Sequence, residues 1–192
     1  WQGSPDLVID EAAQVSDLSD APWESIDPEH HWIDIDLTSM LSGGSRRGIR
    51  TSGTIVAVRP DSGIVERCPE CRRVLRDGAC AEHGPQRGEE DLRLRFVIDD
   101  GVSNASLLMS KDASEAFLGA NQESVKEQIS KEGRDGFVAS LRQRVLAQRL
   151  SIKGRSIVDD QGAMLLADEA EHDQTSPADA ANQVMQRWEV VL

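Results

Sequence analysis

A mainly β domain with added helices, its five strands closing as a small barrel, is the fold class this 192-residue sequence predicts. Three observations carry that expectation. Short runs alternate apolar and polar residues or are rich in β-branched ones, as half-buried strands are. One helical block separates the third such run from the fourth. A metal-ligand pattern interrupts the chain between the first and the second.

Residues 1–31 read as a tail and an acidic linker. Leu7-Val8-Ile9 is a short apolar run, and Pro22 and Pro28 punctuate an acidic stretch with little periodicity. Such a segment buries too little to order itself. Trp23 is its exception and is expected to dock on the folded domain. The first residue is Trp1, so the sequence reads as a piece of a longer chain. Trp32 to Leu37 alternates around one apolar face and predicts a strand. Ser42 to Gly48 predicts a mobile loop, and its three guanidiniums, Arg46, Arg47 and the adjoining Arg50, suit phosphate contact or plain solvation. Thr54 to Arg59 is a β-branched strand, Pro60 to Gly63 a turn, and Ile64 to Arg67 leads into the metal pattern.

Leu92 to Ile98 is the clearest alternation. Leu92, Leu94, Phe96 and Ile98 share one face, and Arg93, Arg95 and Val97 the other. That parity assigns Phe96 to the core rather than to base stacking, and Trp32 is likewise expected as core or lid. Asp99 to Gly101 predicts a hairpin turn, and Ala105 to Met109 returns antiparallel. Lys111 to Leu118 is a short helix stopped at Gly119. Ser124 to Lys131 and Phe137 to about Gln148 follow as helices, broken at Gly133 and Gly136. Arg149 to Lys153 and Ala163 to Ala167 are the last strands, turned at Asp159 to Gly162. After an acidic link, Ala180 to Leu192 predicts a helix with Val184, Trp188 and Val191 on one side. The expected domains are 1–31, 32–171 and 172–192.

All three cysteines lie between Cys68 and His83, as Cys-Pro-Glu-Cys, eight residues, then Cys-Ala-Glu-His. Each pair puts two ligands on one tight turn, and two turns complete a tetrahedral shell of Cys68, Cys71, Cys80 and His83. Zinc fits that donor set, with the thiols bound as thiolates. Three free thiols, or a disulfide with one cysteine left over, are the competing readings. A zinc deaminase also uses Pro-Cys-x-x-Cys but needs an upstream His-x-Glu. His30 and His31 are not followed by that pattern, so the zinc is expected to be structural and the protein not an enzyme.

The net charge is −13 and unevenly spread. Residues 1–45 carry ten acids and no Lys or Arg, while residues 46–95, around the metal pattern, are net +3. Only four of the twenty-one bases are Lys. Acid excess with Arg preferred to Lys resembles proteins of salt-loaded cytoplasms, where screening removes mutual repulsion, and an ordinary acidic surface is the competing reading. No apolar run approaches a membrane span and no signal peptide is visible, and reduced cysteines suit the cytoplasm.

Five strands, with helix between the third and fourth, is the layout of an OB-fold barrel. The zinc-knuckle insertion falls between strands 1 and 2, and a C-terminal helix follows. Such barrels bind single-stranded nucleic acid across strands 2 and 3. Cys68-Pro-Glu-Cys71 with Cys80-Ala-Glu-His83, Leu92 to Gly101, and Ala113 to Gly119 together resemble the zinc-bearing OB domain of replication protein A. The resemblance is strongest to the haloarchaeal single-stranded-DNA-binding proteins of that family and covers about residues 32–171. It implies binding of single-stranded DNA in replication, repair and recombination, without chemistry, in an archaeal cytoplasm and on the nucleoid. It also implies that Trp1 to Ile9 ends a preceding OB domain and that the C-terminal helix, 177–192, serves self-association or a protein partner. The residues themselves supply Arg93 and Arg95 on the platform strand, Lys153 and Arg155 on the neighbouring strands, and Arg59, Arg67, Arg72 and Arg73 beside the metal pattern. A basic groove along a phosphate backbone needs that density. An ordinary solvated sheet face is the competing reading. The second hypothesis is a protein-interaction module of the same fold with little DNA affinity.

Overall fold

The structure, a computed structural model, describes residue 16 and residues 32–159 and 162–187. The expectations for Trp1 to Ile9, Trp23, Trp188 and Val191 lie outside the described residues. In chain order the elements are β1 (Ile33–Asp34), α1 (Leu37–Ser42), β2 (Arg46–Val58), β3 (Gly63–Arg67), β4 (Ala79–Cys80), β5 (Gly84–Pro85), β6 (Glu89–Asp99) and β7 (Asn104–Met109). Then come α2 (Lys111–Leu118), α3 (Gln122–Val145), β8 (Arg149–Asp159), β9 (Gly162–His172) and α4 (Pro177–Arg187).

Five strands form a closed ring, β2–β8–β9–β7–β6 and back to β2. β2 makes the closure because it is long enough to serve two partners. Arg46 to Thr54 pairs with β8, and Thr54 to Val58 pairs with β6, each pairing shifted by a bulge. Bulges bend a strand and increase its twist, which a closing sheet needs. The β7–β9 pairing is parallel, the others in the ring antiparallel. β3 extends the sheet beyond the ring by pairing with the first half of β6. The small β4–β5 hairpin and the cysteines fall between β2 and β6, the first and second ring strands. α2 and α3 fall between the third and fourth.

The ring interior follows the parity of β6. Leu92, Leu94, Phe96 and Ile98 are fully buried, with Ile49, Ile55, Leu107, Leu150, Ile152 and Leu165. One interior row runs Phe96–Leu107–Leu165–Ser156 across four strands. α3 packs Val125, Phe137, Leu141 and Val145 against this core. Gly154 stands where β8 and β9 leave no room for a side chain, since a Cβ there would lie 2.0 Å from the Leu166 carbonyl oxygen.

Five expectations need correction. Trp32 to Leu37 is not one strand. Ile33 and Asp34 alone pair with β2, and Asp36 then caps α1, accepting from Ser39 N at 2.7 Å. Leu37 and Met40 bury at helical spacing, and the cap overrides an alternation too short to hold a strand. The predicted loop over Ser42 to Gly48 is shorter, because β2 begins at Arg46. The two predicted helices at 124–131 and 137–148 are one, ending at Val145. Gly133 kinks it at φ 75°, a conformation glycine enters freely, while Gly136 stays helical. Trp32 is half-buried and outside the core, with Lys153 Nζ 5.8 Å from its ring centroid. α4 begins at Pro177, three residues before the predicted start, and Val184 packs at Gly101 in the β6–β7 turn. Among the described residues no helix is long and apolar enough to cross a membrane.

Candidate metal centre and nucleic-acid interface

Two turns build the cysteine cluster. The chain leaves β3 at Cys68, whose N–H donates to the Arg73 carbonyl at 2.8 Å, while Arg72 N–H donates to the Cys68 carbonyl at 2.9 Å. That closes the first knuckle and delivers Cys68 and Cys71. The β4–β5 hairpin, with Cys80 opposite Gly84, closes the second and delivers Cys80 and His83. Leu75 packs beneath, with Cys68 and Cys80 buried beside it.

The four ligand atoms lie within 4.8 Å of one another. Cys71 Sγ is 3.5 Å from Cys80 Sγ, and His83 Nδ1 is 3.5 Å from Cys68 Sγ and 3.7 Å from Cys80 Sγ. A tetrahedral ion with bonds of about 2.3 Å to sulfur and 2.0 Å to nitrogen places such atoms roughly 3.5–3.8 Å apart. The donor set therefore fits a four-coordinate soft-ligand ion with no position left open. His83 turns its other nitrogen toward Glu70, the arrangement that orients a metal-bound imidazole. Backbone N–H groups of Glu82 and His83 hold the Cys80 thiol down to about 6. The Arg73 N–H pulls the Cys71 thiol the same way, but burial and the adjacent Cys80 and Cys68 sulfurs outweigh it and raise its pKa.

The eight predicted cationic residues divide sharply. Arg93 Nη2 and Arg95 Nη1 each donate to Asp61 Oδ2 at 2.6 Å. Arg67 pairs with Asp91, Arg72 with Glu89 and Arg73 with Glu82. Lys153 pairs with Glu169 at 2.7 Å. Arg59 and Arg155 are exposed, and neither side chain meets a partner among the described residues. Arg93 and Arg95 share the outer face of β6 as expected, but they are not open to solvent. Their side chains are 12% and 24% exposed and salt-bridged to a residue of the β2–β3 turn. Burial pushes the Asp61 carboxyl up, but the Arg95 and Arg93 guanidiniums more than offset it, and its pKa is lowered.

The strand registers reveal a feature that reading each strand separately misses. Arg95 faces Leu108, Leu108 faces Leu166, and Leu166 faces Arg155, so these four form one row across β6, β7, β9 and β8. The next row is Val97–Ser106–Met164–Ile157. These residues alternate with the buried ones and lie on the outer face. The outer face of the ring thus carries an apolar strip with an arginine at each end. The parity of single strands contained this signal, but the parallel β7–β9 pairing was needed to align it.

No protein-family model matches the chain, and no curated protein sequence matches it. Solved structures do resemble it. A replication protein A heterotrimer bound to ssDNA superposes with a TM-score of 0.52 at 13% identity, covering 81% of this chain and 39% of that one. Yeast RPA bound to ssDNA gives 0.49 at 16% identity, over 82% and 97%. The S. pombe Stn1–Ten1 complex gives 0.33 at 10%, over 73% and 69%. This chain therefore spans well under half of the first of these. At that identity, the first likeness shows a common fold: mainly β with helices, built on a ring of five strands.

Proposed function

We propose that residues 32–171 form a zinc-stabilised OB-fold barrel that binds single-stranded DNA without catalysing a reaction. One observation carries the reading: the outer row Arg95–Leu108–Leu166–Arg155. Bases are apolar on their faces and phosphates anionic, so an apolar strip ended by guanidiniums suits an unpaired strand. The fold shared with a replication protein A structure bound to ssDNA supports it. On the sequence resemblance to the haloarchaeal members of that family, we extend the reading to a role in DNA replication, repair and recombination, on the nucleoid of a cytoplasm. Zinc at Cys68, Cys71, Cys80 and His83 would hold the segment between β2 and β6 in shape. Residues 1–31 would link to a preceding domain, and the C-terminal helix would meet a protein partner.

Fluorescence anisotropy with an oligo-dT strand over a salt series tests this. Binding should weaken with salt and fall at least tenfold on Arg155→Glu. No binding at low salt would end the DNA reading. The second reading, an assembly module with little DNA affinity, is favoured by the salt bridges that occupy six of the eight predicted cations. Co-assembly through residues 177–192 without DNA binding would support it.

A further inference from the structure

Arg93 and Arg95 converge on a single acceptor atom, Asp61 Oδ2. The acid is held there by its neighbour. Ser62 Oγ donates to the Arg95 carbonyl at 3.0 Å and accepts from the Arg95 N–H at 2.9 Å, which pins the turn to β6. Two guanidiniums sharing one carboxylate leave a net positive site. Both arginines are largely buried, so little of their side-chain freedom remains to be lost on binding an anion. Arg93 Nε–H is buried without an acceptor among the described residues. The acid is the more exposed partner, at 40%. Guanidinium forks recognise carboxylate and phosphate by the same geometry.

We propose that Asp61 occupies a phosphate subsite: in the complex a phosphodiester oxygen of the single strand replaces the Asp61 carboxylate between Arg93 and Arg95. The proposal rests on the single-strand-binding reading and adds where one phosphate sits. The displaced acid turns to solvent, and the bases run from Arg95 over Leu108 and Leu166 toward Arg155. The carboxylate is thus an internal competitor that lowers affinity and repels anions not held by the rest of the strip.

The test compares oligo-dT binding to the wild type, Asp61→Asn and Asp112→Asn, the last removing an acid on α2, across a salt series. Asp61→Asn should tighten binding about tenfold near 0.1 M salt, because the competing carboxylate is gone, while the salt slope stays close to that of the wild type, since the same phosphates are held in both complexes. Asp112→Asn should not tighten binding. Unchanged binding by Asp61→Asn, or equal tightening by Asp112→Asn, overturns the subsite while leaving the DNA reading intact. Failure of all three to bind overturns the DNA reading itself. A measurement on the unmutated chain covers the case in which Asp61→Asn fails to fold. The side-chain carboxyl carbon of Asp61, followed by NMR, should move toward its solvated position on saturation with oligo-dT, and an unmoved resonance overturns the subsite.

Discussion

The imidazole of His83 and the carboxylate of Glu70 lie 3.6 Å apart, Nε2 to Oε2, on the side of the ring away from the sulfurs. The negative charge raises the basicity of the imidazole, and with a metal bound the carboxylate would favour the proton on the nitrogen that faces it. Glu70→Ala should therefore lower zinc affinity about tenfold while the ion still binds. Competition with a chromogenic chelator measures it, and wild-type affinity would deny Glu70 this role.

Cys68 is fully buried beside Leu75 and Cys80, so its sulfur serves both the cluster and the small core beneath it. Cys68→Ser should purify without stoichiometric zinc and melt at least about 5 °C lower. A chelator should lower the wild-type melting temperature similarly and leave the variant unchanged. A wild-type melting curve indifferent to chelator would deny the ion a structural role.

Gly154 lies where two strands of the ring approach too closely for a side chain. A methyl group there meets the Leu166 carbonyl at 2.0 Å, a contact only backbone movement can relieve. Gly154→Ala should cost at least about 3 kcal/mol, above the common range for overpacking, because the obstruction is main chain. Chemical denaturation reads this directly, and a cost below about 1 kcal/mol would mean that β8 and β9 are not so joined.

Asp173 accepts from Arg149 Nε at 2.9 Å and from Thr175 N–H at 2.9 Å. Burial pushes its carboxyl up, but the Thr175 and Arg149 donors prevail and its pKa is lowered. A carboxyl whose folded pKa is depressed stabilises the fold above its unfolded pKa, near 3.9, and loses that contribution as pH falls through the folded value. Asp173→Asn should therefore cost about 2 kcal/mol at neutral pH and progressively less as acidification protonates the carboxyl in the folded protein. Urea midpoints of the two proteins across that range should converge on acidification. A constant gap would remove the charge from the explanation.

Much of this was legible in the residues. The parity of Leu92 to Ile98 placed Phe96 inside, and the spacing from Cys68 to His83 placed four ligands together, because both signals are local. What escaped was set by partners distant in sequence. Arg93 and Arg95 look free in their own strand, yet they answer to Asp61, 32 and 34 residues earlier. The run from Trp32 to Leu37 reads as a strand until Asp36 is recognised as a cap. β2 reads as a short strand because its first half takes its partner from β8, far downstream. Glycine was read too strongly at Gly136 and correctly at Gly133, where the backbone turns left-handed.

The double pairing of β2 also orders events during synthesis. Arg46 finds Ser156 only after 110 further residues have been made. The β6–β7 hairpin and α2 have their contacts close by and can assemble long before that. Until β8 emerges, the first half of β2 presents an unsatisfied edge, and nascent chains arrested before residue 150 should be more prone to aggregate than those released after the ring has closed.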